Sequence, residues 1–218
     1  MDKELKKEKM ILKYHQEGYV ICRELIDIAS IDEYNSLTTK TFKKYLSLSY
    51  SHMDSQNRSP ASFSDEGFLK HPIGDVHLSK FYDEKFEPMN ESVLNIFSNN
   101  NLISMLNTLS HSEGQSLVMS MYFDLNAGTP AHQDWYYLDT ENTGGLTAAW
   151  IALEDITEDA GRFFVIPETH KELLVLTEEE SNNSDLYEKK IKELIDSKFD
   201  IVAPPLKKGD VLFWNSGT

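Results

Sequence analysis

The most informative hexapeptide for the fold is Pro130-Ala131-His132-Gln133-Asp134-Trp135, beyond the midpoint of the 218-residue chain. In a β-strand, residues i and i+2 face the same side, so a strand here would put His132 and Asp134 together. An imidazole nitrogen and a carboxylate oxygen are two of the three ligands in the facial triad of non-haem iron oxygenases. Taken alone, however, the tripeptide His-x-Asp is better explained by a buried hydrogen-bonded pair or a surface turn.

The chain around this hexapeptide has strand-like patterns, whereas the first half is mainly helical in character. An amphipathic helical pattern over residues 178–196 interrupts the strands as an insertion. Helices followed by short strands predict one α+β domain over residues 1–218, built on a jelly-roll barrel. Residues 1–114 would be mainly helical support, and residues 115–218 would form the barrel. The strand candidates are residues 116–123, 146–153, 162–166 and 209–214.

The N-terminal half contains recognisable helix boundaries. A helical pattern over residues 4–17 ends at Gly18, a typical helix stop, and residues 19–21 follow as a short strand. Ser30 and Glu33 fit a capping box that would open a second helix. That helix would run towards Leu46 or Leu48, followed by a loop over residues 51–75 and a helix over residues 88–109 with a break near residues 99–101.

The composition limits the classes of partner. Thirty-six acidic and 21 basic side chains give a formal net charge of -15. Such a surface repels phosphate backbones and anionic lipid, so neither nucleic acid nor a membrane is expected as a partner. Cys22 is the single cysteine, which excludes an intrachain disulfide. Without a signal-peptide pattern or a long apolar window, the expected location is the cytoplasm.

Four longer motifs, in order along the chain, resemble those of the phytanoyl-CoA dioxygenase family of Fe(II)- and 2-oxoglutarate-dependent oxygenases. The resemblance covers most of the chain and is strongest from about residue 115 to the end. It implies a double-stranded β-helix, a cupin-like jelly-roll barrel with N-terminal helices packed on it. The motifs are HQDWYY (132–137), AWIALEDI (149–156), GRFFVIPETHK (161–171) and KGDVLFW (208–214).

The resemblance assigns the metal ligands. His132 and Asp134 match the proximal pair of the family, which binds Fe(II) and is central to catalysis. His170 belongs to a Pro-x-x-His segment that in the family ends in a surface turn, so it is not expected to bind metal.

The resemblance also implies roles for neighbouring residues. Gln133 and Trp150 match positions that contact 2-oxoglutarate, although packing in a strand is the alternative for Trp150. Trp135 and Tyr137, with Tyr136 between them, would border the substrate entrance, and filling of the core is the alternative for all three.

The family pattern extends past the last residue of the sequence. In the family, the strand after Gly-Asp leads to a His that is the third metal ligand. An Arg further on pairs with the far carboxylate of 2-oxoglutarate. The sequence ends at Thr218, just short of that His, so the predicted barrel is incomplete at its C-terminus. A fragment of a longer gene product, a partly represented chain or a natural truncation would explain this. The first two fit best, because the motifs before the end are intact.

The predicted activity is hydroxylation of a small molecule, with succinate and carbon dioxide as co-products. The alternative is a catalytically inactive fragment or pseudoenzyme that binds a small molecule without turnover. A cupin with other metal chemistry would need more His ligands near His132 than the sequence contains. Neither the substrate nor the oligomeric state follows from the sequence.

Overall fold

The computed structural model describes residues 3–44, 49–52, 55–81, 83–125, 128–197 and 200–218. Two compact units divide the chain: the first contains residues 1–25, 104–113 and 130–218, and the second contains residues 26–103 and 114–129. Helices and small antiparallel sheets make this an α+β fold, as predicted. None of the described helices is both long and apolar enough to span a membrane.

Among the described residues there are six α-helices and seven strands. The helices are α1 (Lys3–Glu17), α2 (Ile28–Lys44), α3 (Glu87–Phe97), α4 (Asn100–Leu109), α5 (Glu178–Ser181) and α6 (Ser184–Asp196). The strands are β1 (Tyr19–Cys22), β2 (Ser49–His52), β3 (Ser55–Pro60), β4 (Ile73–Gly74), β5 (Met121–Tyr122), β6 (Thr147–Ile151) and β7 (Val211–Asn215).

The first unit is built on a three-stranded antiparallel sheet in the order β1-β7-β6. The central strand β7 is buried on both faces, because Val211, Leu212 and Phe213 are all fully covered. A strand that is covered on both faces has a continuous apolar sequence rather than an alternating one, and the sequence of β7 has this pattern. One face of the sheet contributes to a core cluster of Tyr19, Ala152, Val165, Leu206 and Leu212.

Gly18 joins α1 to β1 in a conformation that favours glycine. Its N–H donates to the Tyr14 carbonyl at 2.7 Å, and its φ of 83° lies in the left-handed region. A Cβ at this position would overlap the Thr218 hydroxyl and the His170 ring. The predicted helix stop is therefore confirmed, and the close approach of two other segments adds a second reason for glycine.

The second unit contains a four-stranded antiparallel sheet in the order β3-β2-β4-β5. Helices α2 and α3 pack together in this unit. The Phe42 ring lies near the rings of Phe86 and Tyr122, at centroid distances of 6.3 and 6.4 Å. These buried aromatic contacts supply the core of the unit.

Several sequence predictions are confirmed. The helix over residues 4–17, the strand at 19–21 and the strands within 146–153 and 209–214 are present as α1, β1, β6 and β7. The helix over 88–109 is broken near Asn99 into α3 and α4, as expected.

Other predictions are wrong or only partly met. Ser30 and Glu33 do not form a capping box, because α2 already begins at Ile28 and the Asp27 carboxylate accepts the Ser30 N–H at 2.8 Å. The predicted loop over residues 51–75 contains parts of three strands. In residues 162–166 the structure has one bridge, Val165 to Val202, and in 116–123 it has only β5. The insertion at 178–196 consists of two helices, and Leu46 and Leu48 lie outside the described residues.

Candidate metal centre

His132 and Asp134 lie in an irregular segment and not in the predicted strand. Asp134 begins a one-turn 3-10 helix over Asp134–Tyr136. Gln133, between the two, keeps extended dihedral angles (φ -99°, ψ 127°), so its neighbours still point to the same side, as in a strand. As a result, His132 Nε2 lies 3.0 Å from Asp134 Oδ1.

Two further contacts orient these side chains. His132 Nδ1 lies 2.8 Å from the Pro130 carbonyl, an arrangement in which the Nδ1–H donates and Nε2 faces Asp134. Metal-binding histidines commonly use their second ring nitrogen in this way. The Trp214 indole N–H donates to Asp134 Oδ2 at 2.8 Å. The hydrogen bond to Asp134 raises the pKa of His132, because the carboxylate stabilises the imidazolium.

The spacing of the pair fits a bound cation. In neutral imidazole with a proton on Nδ1, the Nε2 lone pair of His132 faces a carboxylate oxygen of Asp134, and a proton or metal ion between them removes that repulsion. Two ligands each about 2.1 Å from one ion and at right angles to each other lie about 3.0 Å apart. The measured separation of 3.0 Å thus suits two neighbouring positions of a facial triad.

Among the residues that the structure describes, no His, Cys, Asp or Glu completes a group of three that could hold a metal ion. His170 Nε2 lies 3.1 Å from the His15 carbonyl. The expectation that His170 is not a ligand stays a prediction. The described residues therefore bring together two candidate protein ligands, His132 and Asp134.

Gln133 is buried, with 2% of its surface exposed, and its side-chain amide contacts other parts of the first unit. Its Nε2 donates to the Gly217 carbonyl at 2.5 Å and lies 3.3 Å from the Thr169 carbonyl. Its Oε1 accepts from the Trp135 indole at 2.8 Å and from the Leu174 N–H at 3.3 Å. In this arrangement the amide that was predicted to contact 2-oxoglutarate is engaged by the protein itself.

The aromatic residues after Asp134 divide into half-buried and exposed positions. The Trp135 N–H donates to the Ser216 carbonyl at 3.1 Å, which joins the segment to the end of β7. Tyr136 stacks on Tyr187 of α6, with centroids 3.7 Å apart. Tyr137 is 64% exposed and lies edge-on to the His132 ring at 5.3 Å. Tyr137 is thus the residue of the three that borders the His132 ring from the solvent side.

Trp150 lies in an aromatic row on one face of the sheet. Its ring is 5.4 Å from that of Phe163, which is 4.5 Å from that of Trp214. Both tryptophans pack against the core cluster of the first unit. Trp150 is therefore connected to Asp134 through Phe163 and the Trp214 hydrogen bond, and its predicted contact with 2-oxoglutarate stays a prediction.

Three residues that the sequence interpretation missed support this segment. Trp214 had a signal, since it ends one of the four quoted motifs, whereas Tyr187 and Asp139 had none. Asp139 organises the loop that leads to β6: its carboxylate accepts the N–H groups of Gly144 (2.5 Å) and Leu146 (3.2 Å) and the Ser216 hydroxyl (3.2 Å). Tyr187 contacts the backbone of Gln133 through its hydroxyl.

Solved structures of non-haem, alpha-ketoglutarate-dependent enzymes have a similar fold. The chain resembles the alpha-ketoglutarate-dependent epimerase SnoN from nogalamycin biosynthesis (17% identity, TM-score 0.59, covering 98% of this chain and 74% of that one). It also resembles the carbocyclase SnoK of the same biosynthesis (15%, 0.61, 100% and 75%). A third is EctD from S. alaskensis, solved with bound Fe (14%, 0.60, 96% and 68%). At these identities the likeness establishes a shared fold.

The family follows from the sequence itself. The family model for phytanoyl-CoA dioxygenase (PhyH) matches residues 14–218, nearly the whole chain. This protein belongs to the phytanoyl-CoA dioxygenase family, and the predicted resemblance is confirmed. No curated protein sequence matches the chain. The predicted cofactors, iron and 2-oxoglutarate, are those present in solved relatives: SnoN contains Fe3+ and alpha-ketoglutarate, and EctD contains 2-oxoglutarate.

Proposed function

We propose that this protein is an Fe(II)- and 2-oxoglutarate-dependent oxygenase that hydroxylates a small molecule. The observation that carries the proposal is the convergence of His132 Nε2 and Asp134 Oδ1 to 3.0 Å, with each side chain oriented by a further hydrogen bond. Membership of the phytanoyl-CoA dioxygenase family supports the same chemistry.

The bound ion and oxoacid would together supply activation of dioxygen, with succinate and carbon dioxide as co-products. His132 and Asp134 would hold the ion, and Pro130 and Trp214 would keep their side chains in the binding orientation. Gln133 and Trp150 are proposed, as in the family, to lie on the side of 2-oxoglutarate. In the present arrangement Gln133 would have to exchange one of its protein contacts to do so.

The substrate is proposed to approach past Tyr137. This ring is largely exposed, stands at the edge of the His132 imidazole, and can cover the reacting group and exclude water once substrate is bound. Trp135 is proposed to border the same entrance from its position between Gln133 and Ser216. Two solved relatives contain small organic molecules, nogalamycin RO in SnoN and 5-hydroxyectoine in EctD, which supports a small-molecule substrate here.

We also propose that the sheet of the first unit is one wall of a jelly-roll barrel, and that the chain acts as one oxygenase domain. The described strands form two separate sheets and no closed barrel. Support for a single domain comes from the family match, which runs through both compact units. Support for the barrel comes from membership of the family, since the resemblance to that family implies this architecture.

The test measures succinate formed from 2-oxoglutarate with added Fe(II) under air, over a panel of small molecules. His132→Ala and Asp134→Ala should each lower succinate formation by more than about 100-fold, because loss of a direct ligand exceeds the effect of losing a supporting contact. His71→Ala and Asp159→Asn, at exposed positions, serve as controls. Activity that survives both ligand substitutions would contradict the proposal.

A second candidate is a binding protein that holds a small molecule without turnover. The observation that favours it is that only two metal ligands come together among the described residues. Calorimetric titration with 2-oxoglutarate in the presence of Mn(II), which does not require turnover, separates the two. Binding without succinate formation supports the binding protein, and binding with succinate formation supports the oxygenase.

A further inference from the structure

One side chain of the inserted helix α6, that of Tyr187, contacts the backbone of the predicted metal centre. Tyr187 is fully buried, although α6 is otherwise largely exposed, with Ile191 as its other buried residue. The Tyr187 ring stacks on Tyr136 with an angle of 4° between the planes and meets Tyr137 edge-on at 6.1 Å. The sequence pattern alone gives this helix no more than an amphipathic face.

The Tyr187 hydroxyl contacts both polar groups of one peptide residue. It accepts a hydrogen bond from the Gln133 N–H at 2.9 Å and donates one to the Gln133 carbonyl at 3.2 Å. Gln133 is the residue between His132 and Asp134, so its dihedral angles set the direction of both side chains. Burial raises the pKa of Tyr187, and the hydroxyl therefore keeps the proton that it donates.

We propose that Tyr187 is a positioning residue that fixes the backbone between the two metal ligands, so that α6 sets the affinity of the metal centre. The inference rests on the proposed function, because it assumes that His132 and Asp134 bind a metal ion. Without the hydroxyl, the Gln133 N–H loses its partner and the Gln133 carbonyl keeps only the Tyr136 N–H at 3.2 Å, so the 3.0 Å approach of Nε2 to Oδ1 is less strongly enforced.

The helix is itself held in place by polar contacts of the insertion. Lys190 donates to the Val175 carbonyl at 2.8 Å and pairs with Glu180 at 2.9 Å. Thr177 and Glu180 form a capping box at the start of α5. These contacts connect α5, α6 and the irregular segment before them, so more than its ring stacking holds Tyr187 in position.

The experiment compares Tyr187→Phe with Tyr14→Phe in the full chain. Both replacements keep the ring and remove a buried hydroxyl, but the Tyr14 hydroxyl contacts Thr147 at 2.7 Å and not the metal segment. The first measurement is hydrogen exchange at the Gln133 amide in metal-free protein. Tyr187→Phe should speed this exchange by about fivefold, since one buried hydrogen bond contributes about 1 kcal/mol, whereas Tyr14→Phe should leave it unchanged.

The second measurement is anaerobic titration with Co(II), which reports binding through its visible absorption without any turnover. Tyr187→Phe should weaken Co(II) binding by about tenfold, the lower end of the range for supporting contacts, with Tyr14→Phe equal to the wild type. Comparable unfolding temperatures for the two variants would show that the change in affinity is not a general loss of stability.

The outcomes separate the inference from the proposed function. Unchanged exchange at Gln133 in Tyr187→Phe would overturn the inference whatever the metal does. Faster exchange with unchanged Co(II) affinity would also overturn it, because backbone order would then not control the metal centre. Wild-type protein that takes up no Co(II) would overturn the proposed function and the inference that rests on it.

Discussion

The carboxylates of Asp210 and Asp134 lie near opposite ends of strand β7 and differ in their hydrogen-bond partners. Asp210, just before the strand, is buried with 1% of its surface exposed, and accepts from Arg23 (2.6 Å), the Glu24 N–H (2.9 Å) and the Lys207 N–H (2.8 Å). Asp134 contacts the other end of the strand through Trp214, and its side chain is 24% exposed. Besides its contact with His132, the Asp134 carboxylate accepts one hydrogen bond among the described residues, from that indole.

The difference distinguishes a structural carboxylate from one suited to bind a cation. Asp210 accepts from three donors, one of them a charged arginine, so its carboxylate oxygens are not available to a further ligand. The same contacts fix the turn that precedes β7. Asp134 instead presents one oxygen to an imidazole nitrogen, an arrangement that is favourable only with a proton or a metal ion between them. Both aspartates belong to quoted sequence motifs, and only their contacts tell them apart.

The same substitution at both positions tests most directly whether the two carboxylates differ in role. Asp210→Asn puts an amide NH2 against N–H donors and removes the partner of Arg23, so unfolding in urea should show a loss of about 3 kcal/mol. Asp134→Asn should cost less than about 1 kcal/mol, because its NH2 can donate to neutral His132 while its oxygen still accepts from Trp214. Equal losses at the two positions would remove the distinction.

A smaller effect is expected from Trp214→Phe, which keeps an aromatic ring beside Phe163 but removes the indole N–H. Co(II) affinity should fall by about tenfold, since Asp134 loses the contact that orients it. Phe163→Leu is the matched control: it disturbs the aromatic row but keeps the hydrogen bond, and should lower the unfolding temperature with a much smaller change in affinity. The reverse pattern would assign Trp214 to packing alone.

The smallest effect is on the pH dependence of stability. Burial acts to raise the pKa of Asp210, but hydrogen bonds from Lys207, Arg23 and Glu24 outweigh it and hold the pKa below the usual value. This contribution to stability is therefore complete above the ordinary pKa of an aspartate and is lost as the pH falls through the lowered value. Urea unfolding of the wild type between neutral and acid pH should show this decline, and Asp210→Asn should show a shallower one.

Much of the first unit was predictable because its signals are local. Gly18 ends α1 by its backbone freedom, and the apolar run in Val211–Asn215 is typical of a strand covered on both faces. Residues 116–123 show the limit of such signals. A strand needs a partner as well as β-forming residues, and only Met121–Tyr122 has one, in β4. Leu117, Val118 and Met119 are instead exposed.

The approach of His132 to Asp134 was predictable from the sequence, but the groups that orient the two side chains were not. Alternation of side chains brings His132 and Asp134 together whether the segment is a strand or one extended residue before a turn. The supporting groups come from far along the chain, since Trp214 lies 80 residues from Asp134 and Tyr187 lies 54 residues from Gln133. No periodicity within a short window reports contacts at such separations.

The acceptor that orients His132 is a main-chain oxygen, that of Pro130, and this has a consequence for how the segment tolerates change. Every residue has a main-chain carbonyl. A substitution at position 130 therefore changes the stiffness of the chain but keeps the acceptor for His132. The tautomer of His132 therefore depends on the course of the backbone and not on the side chain at position 130. Directed evolution of the substrate entrance can therefore change the amino acid at position 130, provided that the loop keeps its conformation.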